Sequence, residues 1–125
     1  MIFITLLINF FMKKFLVLYK APLDAMAQTS NMTSEQQAKG MELWMQWAKK
    51  SGNRLIEMGS PLMNAHQISP GDKITISKNN VAGYSIIEAD NMDGAIELLK
   101  GHPHTSGWNS EAIIEVHESM PLPGM

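Results

Sequence analysis

The sequence predicts an α+β domain: a split β-α-β pattern that builds one antiparallel sheet backed by two helices. Three observations carry the prediction. Short apolar runs alternate with segments of 3.6-residue periodicity. Cap residues bracket both helical segments, with Thr33 and Gln36 before Gly52, and Asp90 or Asn91 before Gly101. The 125 residues, 45% apolar and 18% charged, suit one hydrophobic core and exclude long disordered regions.

Residues 1–11 (MIFITLLINFF) are apolar but fall far short of the roughly 20 residues a spanning helix requires. Lys13 and Lys14 follow the run, whereas a secretory signal carries its charge ahead of it. Ala25-Met26-Ala27 is a weak cleavage pattern, and Lys20, Pro22 and Asp24 interrupt the stretch before it. The expectation is an N-terminal extension with no part in the fold, followed by a single cytoplasmic domain over 12–125.

Phe15–Tyr19 is apolar on both faces, as in a strand buried on both sides. Ala21–Met32, opened by Pro22, reads as an irregular loop. Asn31-Met32-Thr33 matches a glycosylation sequon, taken as chance without a secretory signal. From the Thr33 cap to Gly52 runs a helix whose Met41, Trp44 and Ala48, flanked by Leu43, Met45 and Trp47, form a broad apolar stripe expected in the core. Lys49 and Lys50 complement its dipole. Arg54–Met58 is a second strand ended by Gly59-Ser60-Pro61, and Leu62–Asp72 reads as a loop or irregular edge. Lys73–Ser77 alternates Ile74 and Ile76 with Thr75 and Ser77, a half-buried strand. Lys78-Asn79-Asn80 then turns the chain into Val81–Ala89, its expected antiparallel partner. The second helix places Met92, Ala95, Ile96 and Leu99 on one face and stops at Gly101. Ala112–Glu118 is the last strand, before a tail with Pro121 and Pro123.

The order β-α-β-(β-hairpin)-β-α-β is ferredoxin-like. Two helices cover only one face of such a sheet. Phe15, Val17 and Tyr19 point to one face and Leu16 and Leu18 to the other, so both faces want burial. A second subunit on the open face satisfies this, and a two-fold homodimer is expected.

Composition excludes several function classes. There is no cysteine, hence no disulfide, thiolate nucleophile or Cys-ligated zinc. A net charge of -2 with scattered basic residues gives no footprint for a nucleic-acid partner, and no membrane association is expected. Gly-rich phosphate loops, Ser nucleophile elbows and paired catalytic carboxylates are missing from the sequence. Eleven methionines are read as adaptable core filler.

The candidate catalytic residues are His102 and His104, placed just past a helix end. Two imidazoles there suit general acid and base work near neutral pH, helped by Asp90 or Glu118. The alternative has one histidine capping helix carbonyls and the other solvated. Met41, Trp44 and Trp108 are candidate pocket walls, although Trp108 suits a loop anchor equally well. His117 reads as an interface or packing residue. His102-x-His104 with His117 or His66 lacks an established metal spacing, so no metal and no cofactor are expected.

Five segments together carry a more specific likeness: Met12-Lys13-Lys14-Phe15, Trp44-x-x-Trp47, Gly83-Tyr84-Ser85-Ile86, Leu99-Lys100-Gly101-His102-Pro103, and Glu115-Val116-His117-Glu118 through Met120-Pro121. In order and spacing over residues 12–125 they resemble the YCII-related (DGPF-type) family. The resemblance implies a small bacterial protein of ferredoxin-like fold that pairs into a dimeric α/β barrel. Some relatives use a His on the first helix with an Asp before the Pro that follows the second, and one branch eliminates chloride from a ring-cleavage product. Here the matching positions carry Met41 and His102, so that acid–imidazole pair is not retained. The expected function is a homodimer binding a small organic molecule in a cleft near His102. The alternative is a small lyase or isomerase with His102 as the proton-transfer residue.

Overall fold

A computed structural model describes residues 12–29 and 31–124, so the extension expected at residues 1–11 lies outside the described residues. In chain order the elements are β1 (Lys13–Lys20), α1 (Leu23–Thr29), α2 (Ser34–Ser51), β2 (Leu55–Glu57), β3 (His66–Ser69), β4 (Lys73–Ile76), β5 (Val81–Ala89), α3 (Met92–Leu99) and β6 (Ile113–Ser119). Single 3₁₀ turns lie at Gly52–Arg54 and Pro103–Thr105. Among the described residues this is an α+β fold with three helices, a four-stranded antiparallel sheet in the order β2-β5-β1-β6, and a separate β3-β4 pair. The arrangement is compatible with a ferredoxin-like fold.

β1 is central because its alternate residues are all large and apolar. Phe15, Val17 and Tyr19 are buried against Trp47 of α2, Ala95 and Leu99 of α3, and Ile87 and Ala89 of β5. The opposite face holds Leu16, which is 36% exposed, and half-buried Leu18 beside its register partners Ile86 and Tyr84. As expected, α2 and α3 both pack on one face of the sheet, the one that carries Phe15, Val17 and Tyr19.

The expected capping box at α2 forms. Thr33 Oγ1 accepts from the Gln36 amide and the Gln36 side chain accepts from the Thr33 amide. Gly52, at φ +58°, closes the helix by donating its N–H to the Ala48 carbonyl. The apolar stripe contributes less to the core than its pattern suggests. Trp47 is buried and Trp44 and Ala48 half-buried, while Met41, Leu43 and Met45 are each more than half exposed. Only the C-terminal half of α2 rests on the sheet. The methionines follow suit, since none among the described residues is buried.

Two segments differ from expectation. Ala21–Met32 is not all loop. Pro22, with φ preset for a helical start, offers its carbonyl to the Met26 amide and opens α1. More consequentially, β4 pairs with β3, inside the stretch expected to be irregular, and not with β5. The reversal falls at Gly71 and Asp72, both left-handed at φ +85° and +60°. At Asn79, by contrast, the side chain accepts from the Val81 amide and forms a connector between β4 and β5. Because β5 is claimed by β1 and β2, the β3-β4 hairpin stands away from the sheet, and Ile74 and Ile76 are exposed where half-burial was expected.

Candidate functional site

The turn after α3 aims one histidine into the core. Lys100 donates its amide to the Ile96 carbonyl, Gly101 turns at φ +76°, and the His102 amide returns to the Leu99 carbonyl. Pro103 opens the 3₁₀ turn, whose cap is His102 itself: its Nδ1 accepts from the His104 amide at 2.9 Å. The His102 carbonyl accepts from Ser106 Oγ at 2.6 Å and from the Thr105 amide, which pins the turn.

So directed, the His102 side chain is fully buried. Three aromatic rings enclose it. Tyr19 stacks on it at 5.0 Å between centroids, while Trp44 and Trp47 meet it edge-on at 4.5 and 4.4 Å. Tyr19 and Trp47 are buried, and Trp44 is the one ring of the box that reaches solvent. Hydrogen bonds outside the box fix two of the rings. Trp47 Nε1 donates to the Leu98 carbonyl at 3.1 Å, and Ser85 Oγ donates to the Met58 carbonyl at 2.6 Å. The Tyr19 hydroxyl therefore donates to Ser85 Oγ at 2.8 Å, and burial pushes its pKa up to about 12.

Electrostatics assign the protonation state of His102. Burial, and secondarily the neighbouring His104, lower its pKa to about 3. The ring is neutral near pH 7. Since Nδ1 is an acceptor, the proton sits on Nε2. Among the described residues that buried Nε2–H finds no acceptor. Leaving such a group unpaired costs about 1–3 kcal/mol.

His104 is also buried, 5% exposed, and is neither a solvated loop residue nor a helix cap. Its Nε2 donates to the Lys20 carbonyl at 2.9 Å. Burial lowers its pKa, against an upward pull from the carbonyls of Lys20 and Ile113. Trp108 Nε1 donates to the His104 carbonyl at 2.7 Å, so Trp108 anchors the loop while its ring stays 43% exposed. Met41 projects from α2 one turn before Trp44, 56% exposed.

The other candidates are dispersed. Asp90 lines a shallow groove of about 370 Å³ with Arg54 and Glu97, and Glu118 pairs with Lys13 at 3.6 Å. A second, apolar groove of about 270 Å³ lies between α3 and β6. Neither groove is lined by His102. His66 sits on the hairpin, donating Nδ1–H to the Asn64 carbonyl. On the open sheet face His117 meets Glu115, which also binds Lys20 at 3.4 Å, and the Tyr84 hydroxyl donates to Glu57 at 2.6 Å. Hydrogen bonding from His117 lowers the Glu115 pKa, and Glu57 raises that of Tyr84. Among the described residues no three metal-ligating side chains gather in one place.

Sequence reasoning missed Tyr19 and Trp47 as partners of His102. The i, i+3 spacing of Trp44 and Trp47 was the available signal, because it puts both indoles on one side of α2.

Fold and site together define an α+β domain with a neutral histidine buried in an aromatic box. No protein-family model and no curated protein matches the chain. No helix among the described residues is long and apolar enough to cross a membrane.

Proposed function

We propose that this chain is a YCII-related, cytoplasmic domain that works as a homodimer and binds a small organic molecule at the His102 box. The observation behind this reading is the Nε2–H of His102, a buried donor without an acceptor among aromatic rings. Such a donor suits a carbonyl or carboxylate oxygen, and the flat faces of Trp44 and Tyr19 suit a planar body. A ligand would enter by displacing Trp44, the half-buried ring of the box, with exposed Met41 as an adaptable wall. For the dimer, the support is the open face with Leu16, Leu18, Tyr84 and Ile86, which a two-fold mate would cover as in a dimeric α/β barrel.

Binding is preferred to the lyase or isomerase reading on electrostatic grounds. An imidazole with a pKa of about 3 is a weak base near pH 7, although a good neutral hydrogen-bond donor. A thermal-shift screen of small carboxylates and aromatic carbonyl compounds tests the proposal. A ligand at a hundred times its Kd adds about 2.7 kcal/mol of stability. Hits should raise the Tm of the wild type and lose that effect in His102→Phe. Hits that stabilise both proteins equally would sink the proposed site.

A further inference from the structure

The β3-β4 hairpin is an amphipathic arm, and among the described residues nothing covers its apolar side. Register pairs Ile68 with Ile74 and His66 with Ile76, so three isoleucines share one face, while Gln67, Ser69, Lys73 and Thr75 share the other. Ile68, Ile74 and Ile76 are 71%, 65% and 72% exposed. Met63, three residues before β3, is 76% exposed. The two strands hydrogen-bond to each other and to neither edge of the main sheet. An isolated two-stranded hairpin is at best marginally stable in water. An apolar patch on such an arm marks an interaction surface.

We infer that this arm reaches across to a second copy of the chain and lays its isoleucine face on the partner's open sheet face. The inference rests on the homodimer proposed above, and the area needed for a stable dimer argues for it. Four strands at ~4.8 Å spacing, about seven residues long at ~3.3 Å each, give a flat footprint of about 450 Å². A stable interface takes about 800 Å² from each partner. The sheet face alone falls short, and the arm, tied at its base to the start of β5, offers apolar surface to extend it. Its position fits that role. The Ser77 amide closes its base on the Ala65 carbonyl, and the Leu62 amide ties that base to the Ala82 carbonyl at the start of β5. The arm thus leaves from one end of the sheet whose open face carries Leu16, Leu18 and Ile86 beside the polar pairs Glu115–His117 and Glu57–Tyr84. A two-fold axis across that face turns each arm toward the other subunit.

The test compares the dimer Kd of the wild type with that of Ile68→Ser/Ile74→Ser/Ile76→Ser by sedimentation equilibrium. The arm predicts a dimeric wild type and a variant Kd raised at least about tenfold, as for loss of an interface anchor. A wild type that stays monomeric at micromolar concentration overturns the arm together with the dimer. A dimeric wild type whose Kd the folded variant leaves unchanged overturns the arm alone. Should the triple variant not fold, cross-linking decides, since the chain has no cysteine of its own. Mixing Ile74→Cys protein with Leu16→Cys protein under mild oxidation should give the mixed disulfide between subunits. Its absence would refute the contact.

Discussion

Replacing His102 with Phe tests the burial of a neutral imidazole, and the structure sets the size of the effect. Folding lowers the pKa of His102 from 6.5 to about 3. Between those values the unfolded chain holds a proton that the native ring refuses, so stability falls as the pH is lowered through that window. At pH 5 the loss relative to pH 8 works out at about 2 kcal/mol, and below that it grows by at most ~1.4 kcal/mol per pH unit until it levels off near the folded pKa of about 3. Phe keeps an aromatic ring among Tyr19, Trp44 and Trp47 and has nothing to titrate. It removes the acceptor of the His104 amide, a loss of about 1–3 kcal/mol, and also the unpaired Nε2–H, a gain of similar size. Near pH 8 the variant should therefore lie within about 2 kcal/mol of the wild type. On going to pH 5 it should gain about 2 kcal/mol relative to the wild type. His104 titrates in both proteins and cancels in the comparison. Urea unfolding at each pH, followed by tryptophan fluorescence, gives the two free energies. Parallel pH profiles for the two proteins would refute the neutral, buried assignment.

Two glycine substitutions should act in opposite directions. A Cβ on Gly59, at φ +77°, would lie 1.8 Å from the Tyr84 carbonyl oxygen and 2.7 Å from its carbon, both backbone. Gly59→Ala should cost more than about 4 kcal/mol, read as loss of a cooperative thermal transition. Gly40, inside α2, would meet nothing within 4 Å. Gly40→Ala should stabilise by roughly 0.5–1 kcal/mol, measured as a higher urea midpoint with an unchanged slope; a lower midpoint would contradict the open geometry.

What could be read from the sequence was local and strongly signalled. β1 carries an unbroken apolar run over Phe15–Tyr19 and β5 a mostly apolar one interrupted at Gly83, Ser85 and Glu88, and the Thr33–Gln36 box and the Asn91 cap fix helix starts through side-chain to backbone bonds three residues apart. Such features need no knowledge of the rest of the chain. Strand partners are another matter. The 73–77 strand has the same alternation whether it pairs forward with β5 or backward with β3. The decision falls to Gly71 and Asp72, whose left-handed backbones are certain only in three dimensions. The same limit applies to the site. His102 was legible as a residue beyond a helix end, but its burial depends on Gly101 turning it inward and on Tyr19 arriving from 83 positions earlier. Apolar periodicity also overstated the core at α2. The pattern of Met41 and Met45 is helical, yet nothing in it tells how far the helix overhangs the sheet.

The central claim is that His102 offers a neutral Nε2–H to an oxygen of a bound organic molecule, and histidine ring ¹⁵N resonances report on it directly. With the strongest thermal-shift hit titrated into protein labelled at histidine, the Nε2 signal of His102 should move to saturation. Its Nδ1, held by the His104 amide, should stay in place. A saturating ligand that leaves the His102 Nε2 resonance where it was, while signals elsewhere shift, would contradict the account.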